Sequence, residues 1–415
     1  MTRLKDIKIN IKTIWFGFLC LYIMTSYLAQ DVLLPSKLNS LVLYAFLAYS
    51  IFAILLSGKV KLSAIVLWEM LFLALSFVAM LYSPSIAILG GTYYALLVNF
   101  ILVFVLAQMP WNTERFHLIM KTFVMAAALL IVLLALTGNL KDDSGRLGTE
   151  LTGNANTLAM MLMVSAIYGI WLILSSNNLF KQCWYLFLVA IIYLGMLLSG
   201  GRKYIVVPII FAYILWLYKT DNRGRRHIAG KTAIILMLAA ILYLIIMKIP
   251  FFYDIIGHRF EGVFAMVDDS YQMDNSTFLR KQMTAAAFSK WLESPLWGYG
   301  FDSFKYYNVT SVTGEMYYSH NNFAELLYNQ GLIGFLAYYG FYAYLLYAQR
   351  QQKNSLYKGF TIGAIVSLLF FEYYGITYST TPTQILLCIC AMLRLGDGQE
   401  KKLNGTTLEN NKSQS

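Results

Sequence analysis

Residues 117–137 read HLIMKTFVMAAALLIVLLALT. A single lysine interrupts an apolar run that lacks both the alternation of a half-buried strand and the polar stripe of a helix on a soluble core. As a helix, about 20 such residues rise about 30 Å, the thickness of a bilayer's hydrocarbon layer. The rest of the chain repeats this pattern. Of its 415 residues, 59% are apolar and 13% charged, against roughly 45–50% and about 25% in ordinary soluble domains. That composition excludes a soluble enzyme, a disordered chain and a disulfide-stapled secreted module. The fold class expected is an all-α polytopic membrane protein.

Working outward from that run, long apolar stretches predict twelve spans: 14–30, 38–57, 62–82, 86–107, 117–137, 155–176, 183–199, 204–218, 232–249, 321–347, 357–375 and 382–395. The organisation expected is therefore nine spans within 1–249, a large loop over 250–320, three spans within 321–395, and a polar tail over 396–415 predicted to be disordered. Arg3, Lys5, Lys8 and Lys12 precede the first run, which reads as an uncleaved span because no small-residue cleavage site follows it. The net charge of +11 lies mostly between the apolar runs, densest at Lys219, Arg223, Arg225, Arg226 and Lys231. Positive residues between spans mark cytoplasmic connections, so both termini are expected inside and the long loop outside. The same distribution argues against nucleic acid as a partner. Cys20, Cys183, Cys388 and Cys390 form no CxxC pair, so neither a zinc site nor a disulfide framework is indicated.

Loops of some seventy residues without a function are uncommon. Within this one, Ser276 or Thr277 is placed to cap a helix running to about Glu293 and stopped by Ser294-Pro295. Arg280 and Lys281 fall in its opening turns. Arg202 and Lys203 begin the eighth span at its outer end, and His320-Asn321-Asn322 begins the tenth. A helix start offers unpaired N–H groups and partial positive charge, which attract anions. Arginine there suits a phosphate partner, which guanidinium grips through two parallel hydrogen bonds. The blander roles are snorkelling anchors for Arg202 and Lys203 and a solvated helix face for Arg280. A histidine at a positive helix end stays neutral and can accept a proton, which suits a general base. Asp268-Asp269 reads as a solvated pair. Glu69 and Glu372, inside spans, support a transporter as the competing class, since intramembrane carboxylates are costly.

The stretches RKQMTAAAFSKWLESPLWGYGFDSF (280–304) and HNNFAELLYNQGLIGFL (320–336) resemble the signature of the O-antigen polymerase and O-antigen ligase superfamily. The matching residues are Arg280, Trp291, Pro295, Gly298, Gly300 and Phe304, then His320, Asn321, Glu325, Gly331 and Gly334. LLSGGRKYIVV (197–207) is similar to the family's Ser-x-Ser-Arg stretch and contributes Arg202, with Gly201 in place of the second serine. GRLGTELTGNANTLAMML (145–162) is similar to the asparagine-rich start of a family span, with Asn154 and Asn156, and with Ala155 where proline is common. Together the likeness covers roughly residues 145–345.

The resemblance implies a bacterial inner-membrane glycosyltransferase that joins undecaprenyl-diphosphate-linked oligosaccharide repeat units at the extracytoplasmic face. The products implied are surface polysaccharides: O-antigen, capsule or exopolysaccharide. Transfer of this type uses neither metal nor cofactor. In this reading Arg202 and Arg280 stabilise the departing diphosphate, His320 deprotonates the acceptor hydroxyl, and Lys203, Lys281 and Asn321 bind substrate. Gly298 and Gly300 are assigned to backbone shape. Glu325 is left between orienting Asn321 and pairing with an arginine. A polymerase is favoured by the Asn154/Asn156 segment; the alternative is ligase-type transfer of a finished glycan to another acceptor. A chain-length regulator and a flippase are the protein partners implied beside the bilayer.

Overall fold

The computed structural model describes residues 11–84, 90–140, 146–152, 154–219, 225–257 and 275–393. Among these the chain is all-helical. The helices are α1 (Ile11–Leu28), α2 (Ser36–Ser57), α3 (Ala64–Leu81), α4 (Gly90–Gln108), α5 (Thr113–Leu136), α6 (Thr149–Thr152), α7 (Ala155–Ser175), α8 (Leu179–Ser199), α9 (Arg202–Lys219) and α10 (Arg225–Lys248). The short α11 (Pro250–Phe252) runs into a π-helical turn, Tyr253–Gly257. Then come α12 (Asn275–Trp291), α13 (Phe304–Ser311), α14 (Asn322–Ala348), α15 (Ser355–Glu372) and α16 (Thr381–Leu393).

Each of the twelve predicted spans falls on a helix among the described residues, and length and composition single out nine of those helices as able to cross a membrane. The other three fall short for separate reasons. In α9 the charges of Arg202, Lys203 and Lys219 dilute an 18-residue helix. The apolar parts at Thr232–Lys248 and Thr381–Leu393 are shorter helices. Large apolar side chains such as Leu55, Leu136 and Phe180 stand exposed at 74%, 78% and 81%, as helices facing lipid rather than water would present them. The protein is a multi-pass membrane protein. The polar tail, Asp268-Asp269 and His258 lie outside the described residues.

Asparagine starts several of these helices. Asn112, Asn154, Asn178 and Asn354 each turn a side-chain oxygen to a backbone N–H of the first turn, at 2.9–3.2 Å, satisfying donors the helix itself cannot. One pairing positions the functional region. Helices α9 and α15 lie antiparallel, with Gly359 against Tyr218, Gly363 against Phe211, and the Phe371 and Tyr204 rings 5.3 Å apart. The glycines let the backbones approach closely. This register puts the start of α9, with Arg202 and Lys203, beside the end of α15.

Candidate functional site

Helix α12 lies within a residue or two of the helix predicted to end near Glu293. Thr277, Arg280 and Thr284 fall on one of its faces by their spacing. At one end of that face Arg202 donates from Nη2 to the Thr277 hydroxyl at 3.5 Å. At the other, Thr284 donates its hydroxyl to the Ser319 carbonyl at 2.8 Å. Arg280 sits between the two contacts. It is exposed, and among the described residues it makes no hydrogen bond or ion pair. Residues 202, 280 and 320, far apart in the chain, are thereby drawn to one place.

Gly200 ends α8 in the left-handed conformation, φ 71°, which turns the chain into α9. Lys203 then points to the end of α15. Its Nζ donates to the Tyr374 carbonyl at 2.7 Å and lies 4.5 Å over the Phe371 ring, a seat that combines a hydrogen bond with cation–π attraction. Lys281 is exposed and adds no contact to this group.

The segment around His320 is held on both sides. Ser319 donates its N–H to Glu325 Oε2 at 2.7 Å. Asn321 caps α14 by accepting from the Ala324 N–H at 3.0 Å, and its amide donates to the Tyr373 carbonyl at 3.1 Å. His320 itself has φ 60°, a left-handed conformation that costs a residue with a Cβ roughly 1–2 kcal/mol. Such strain persists only where the surroundings impose it. The ring lies 4.6 Å from Tyr318. Burial, then the Arg280 guanidinium and the Lys203 ammonium, push its imidazole down to about 3. The side chain is thus neutral at pH 7, and burial followed by Arg280 pushes the Lys203 amine beside it down to about 7.

The glycines of the loop explain how this arrangement is braced. Helix α14 breaks at Gly331, φ 62° and ψ −163°, which interrupts its internal ladder. Residues 295–300 supply the missing partners. Tyr299 and Gly300 donate to the carbonyls of Tyr328 and Asn329 at 2.8 and 2.9 Å, while Leu332 and Ile333 donate to those of Pro295 and Leu296 at 2.8 and 3.3 Å. A Cβ on Gly298 would run into the Tyr328 carbonyl, and one on Gly331 into the Leu296 backbone. Gly298 and Gly300 thus serve backbone shape, as expected. Glu325 does neither of the things considered for it: besides the Ser319 N–H it accepts from the Asn329 amide at 3.1 Å, holding the loop and not Asn321 or an arginine.

Sequence reading passed over two participants. Arg146 donates from Nε to the Ser199 carbonyl at 2.8 Å, steadying the turn before Arg202. Its one signal was its place in the GRLG stretch, where it reads as an ordinary loop charge. The turn after α15, which seats Lys203 and Asn321, carries no motif at all. The intramembrane carboxylates differ: Glu372 accepts from Tyr342 at 2.6 Å, and Glu69 Oε1 is buried without a hydrogen bond among the described residues.

A comparison with protein families matches residues 186–339 to the family described as O-antigen ligase. No curated protein matches the chain. The matched stretch runs from α8 into α14 and contains Arg202, Lys203, Arg280, Lys281, His320, Asn321 and the glycines that brace them. At residues 186–339, then, this multi-pass membrane protein carries an O-antigen ligase domain of the O-antigen polymerase and ligase superfamily.

Proposed function

We propose that the protein is a membrane glycosyltransferase that polymerises undecaprenyl-diphosphate-linked oligosaccharide repeat units into a surface polysaccharide. The observation that carries this reading is the meeting of Arg280 and Lys203 at one neutral histidine, with Arg202 bonded to the same helix as Arg280. Cations beside a base are what transfer from a sugar diphosphate requires. The diphosphate lies among Arg202, Arg280 and Lys203, with Lys281 adding attraction from the exposed side of α12. Asn321 supports substrate binding by fixing the backbone at His320.

In the reaction the acceptor hydroxyl gives its proton to His320 while its oxygen forms a bond to the donor's anomeric carbon. The bond from that carbon to the phosphate oxygen breaks, and its electron pair leaves on the diphosphate. Guanidinium groups stabilise the charge that develops there. The same charges couple the two events. Burial, then Arg280 and Lys203, keep the imidazole a weak base before the donor binds. A bound diphosphate offsets them, so the imidazole becomes more basic when the donor is present and more so as the leaving group gains charge.

The deciding experiment incubates purified protein with a lipid-linked repeat unit and separates the products by size. A ladder of lengths supports the polymerase. One round of transfer to a different acceptor supports the ligase-type alternative. No transfer to either defeats the reading.

A further inference from the structure

The chain leaves α15 at Glu372 and turns through residues 373–380 before α16 begins. This turn lies beyond the O-antigen ligase match, which ends at 339, yet the site leans on it from two sides. Lys203 donates to the Tyr374 carbonyl at 2.7 Å and Asn321 to the Tyr373 carbonyl at 3.1 Å. Adjacent carbonyls therefore hold a cation of the anion site and the residue next to the base. Asn322 closes the arrangement: its Oδ1 accepts from the N–H groups of Thr377 and Tyr378 at 2.9 and 3.2 Å, and its amide donates to Tyr339 at 2.9 Å. At Gly375 a Cβ would strike the Lys203 ammonium, so the turn is shaped around that side chain.

Glu372 fastens the turn from beneath. It is fully buried at 0% exposure, and one oxygen, Oε1, accepts from the Tyr342 hydroxyl of α14 at 2.6 Å and from the Thr377 hydroxyl of the turn. A carboxylate placed in a span is costly and persists where its bonds organise something. Here they join the turn to the helix that begins at the His320 loop.

We propose that Glu372 and Asn322 are positioning residues for glycosyl transfer: through the 373–378 turn they set Lys203 and the His320 loop relative to each other, so that anion site and base form one rigid unit. The inference rests on the function proposed above. Its test uses full-length protein in phospholipid nanodiscs, with undecaprenyl-diphosphate-linked repeat unit as substrate and inorganic diphosphate as the probe of the anion site.

Glu372→Ala is expected to lower kcat about tenfold or more and to weaken diphosphate binding severalfold, as loss of a shared acceptor in a buried network does. Glu372→Gln keeps an acceptor oxygen and is expected to stay within about threefold on both. In a Lys203→Ala background, Glu372→Ala should weaken diphosphate binding no further, because residues acting through one seat are not additive. Activity unchanged in Glu372→Ala, equal damage from Gln and Ala, or additive losses with Lys203→Ala would each overturn the proposal. Should Glu372→Ala fail to reach the membrane, Asn322 repeats the test: Asn322→Ala loses kcat, and Asn322→Asp, which keeps the acceptor for Thr377 and Tyr378, retains it. Diphosphate binding read by calorimetry needs no turnover. Absence of transfer by the unaltered protein would thus defeat the function proposed while the coupling of Glu372 to Lys203 stayed measurable.

Discussion

The two halves of the site are built by different means. On the cation side, Arg280 stands exposed on α12 and makes no hydrogen bond among the described residues, and Arg202 reaches Thr277 at 3.5 Å. On the base side, Ser319 and Asn321 are both buried and bonded, and His320 between them is held in a left-handed conformation. Under the function proposed above, the difference follows from what each half would do. Attraction between charges falls off gently with distance, so long side chains can adjust to a diphosphate. Proton transfer works only within hydrogen-bond reach, so the imidazole has to be placed by its backbone. The long guanidinium arms tolerate looseness; the base, and the Lys203 seated on the turn beside it, do not.

That contrast orders the expected effects. His320→Ala removes the base and should lower kcat by about 10²–10⁴-fold with the protein still in the membrane, measured as polymer formed per unit protein. Long product made at the normal rate would dissolve the distinction between the halves. Gly331→Ala places a Cβ against the Leu296 backbone in a conformation that disfavours it. It should cost about 1–3 kcal/mol of stability, visible as a lowered midpoint of thermal unfolding, with activity falling alongside. Arg280→Lys keeps charge but loses the fork and should reduce kcat/KM about tenfold. A loss as large as that of His320→Ala would mean Arg280 is as tightly placed as the base.

The pH profile separates the halves without disturbing the fold. Only the neutral imidazole accepts a proton, and kcat/KM reports the free enzyme. Because burial, Arg280 and Lys203 together push His320 down to about 3, kcat/KM should show no fall as pH drops through about 6.5, where an ordinary histidine protonates, and Lys203, pushed down to about 7, gains charge in the same range. Arg280→Gln and Lys203→Gln each remove a positive charge, so each should move the acid limb upward, but not as far as 6.5, since burial is the larger cause. Smallest of all, Lys281→Gln should raise donor KM only about twofold at low salt and not at all at high salt, as screening removes a long-range attraction.

The helices were legible from apolar runs because a bilayer demands them wherever such runs occur. The residues of the base side and the glycines were legible as motif, and α12 from its proline stop. What stayed hidden was pairing across distance. Arg146 looked like a loop charge, and nothing in residues 373–378 distinguishes a turn that seats Lys203 from any other connection between helices. Glu325 was ambiguous for the same reason, since its partner is the backbone N–H of Ser319 and backbone groups leave no mark in a sequence. The apolar runs at 204–218, 232–249 and 382–395 fall on helices that are shorter or more charged than the nine which, among the described residues, have the length and composition to span.

By itself the sequence determined a multi-pass helical protein with cationic residues and a histidine at helix starts, because hydropathy, caps and charge are local properties of consecutive residues. Only the tertiary structure decided that Arg280 lies between Arg202's contact and the His320 loop, and that a carboxylate at 372 holds the turn beneath them. Those facts depend on the antiparallel register of α9 with α15 and on the break in α14, where hydrogen bonds join segments that no local pattern relates.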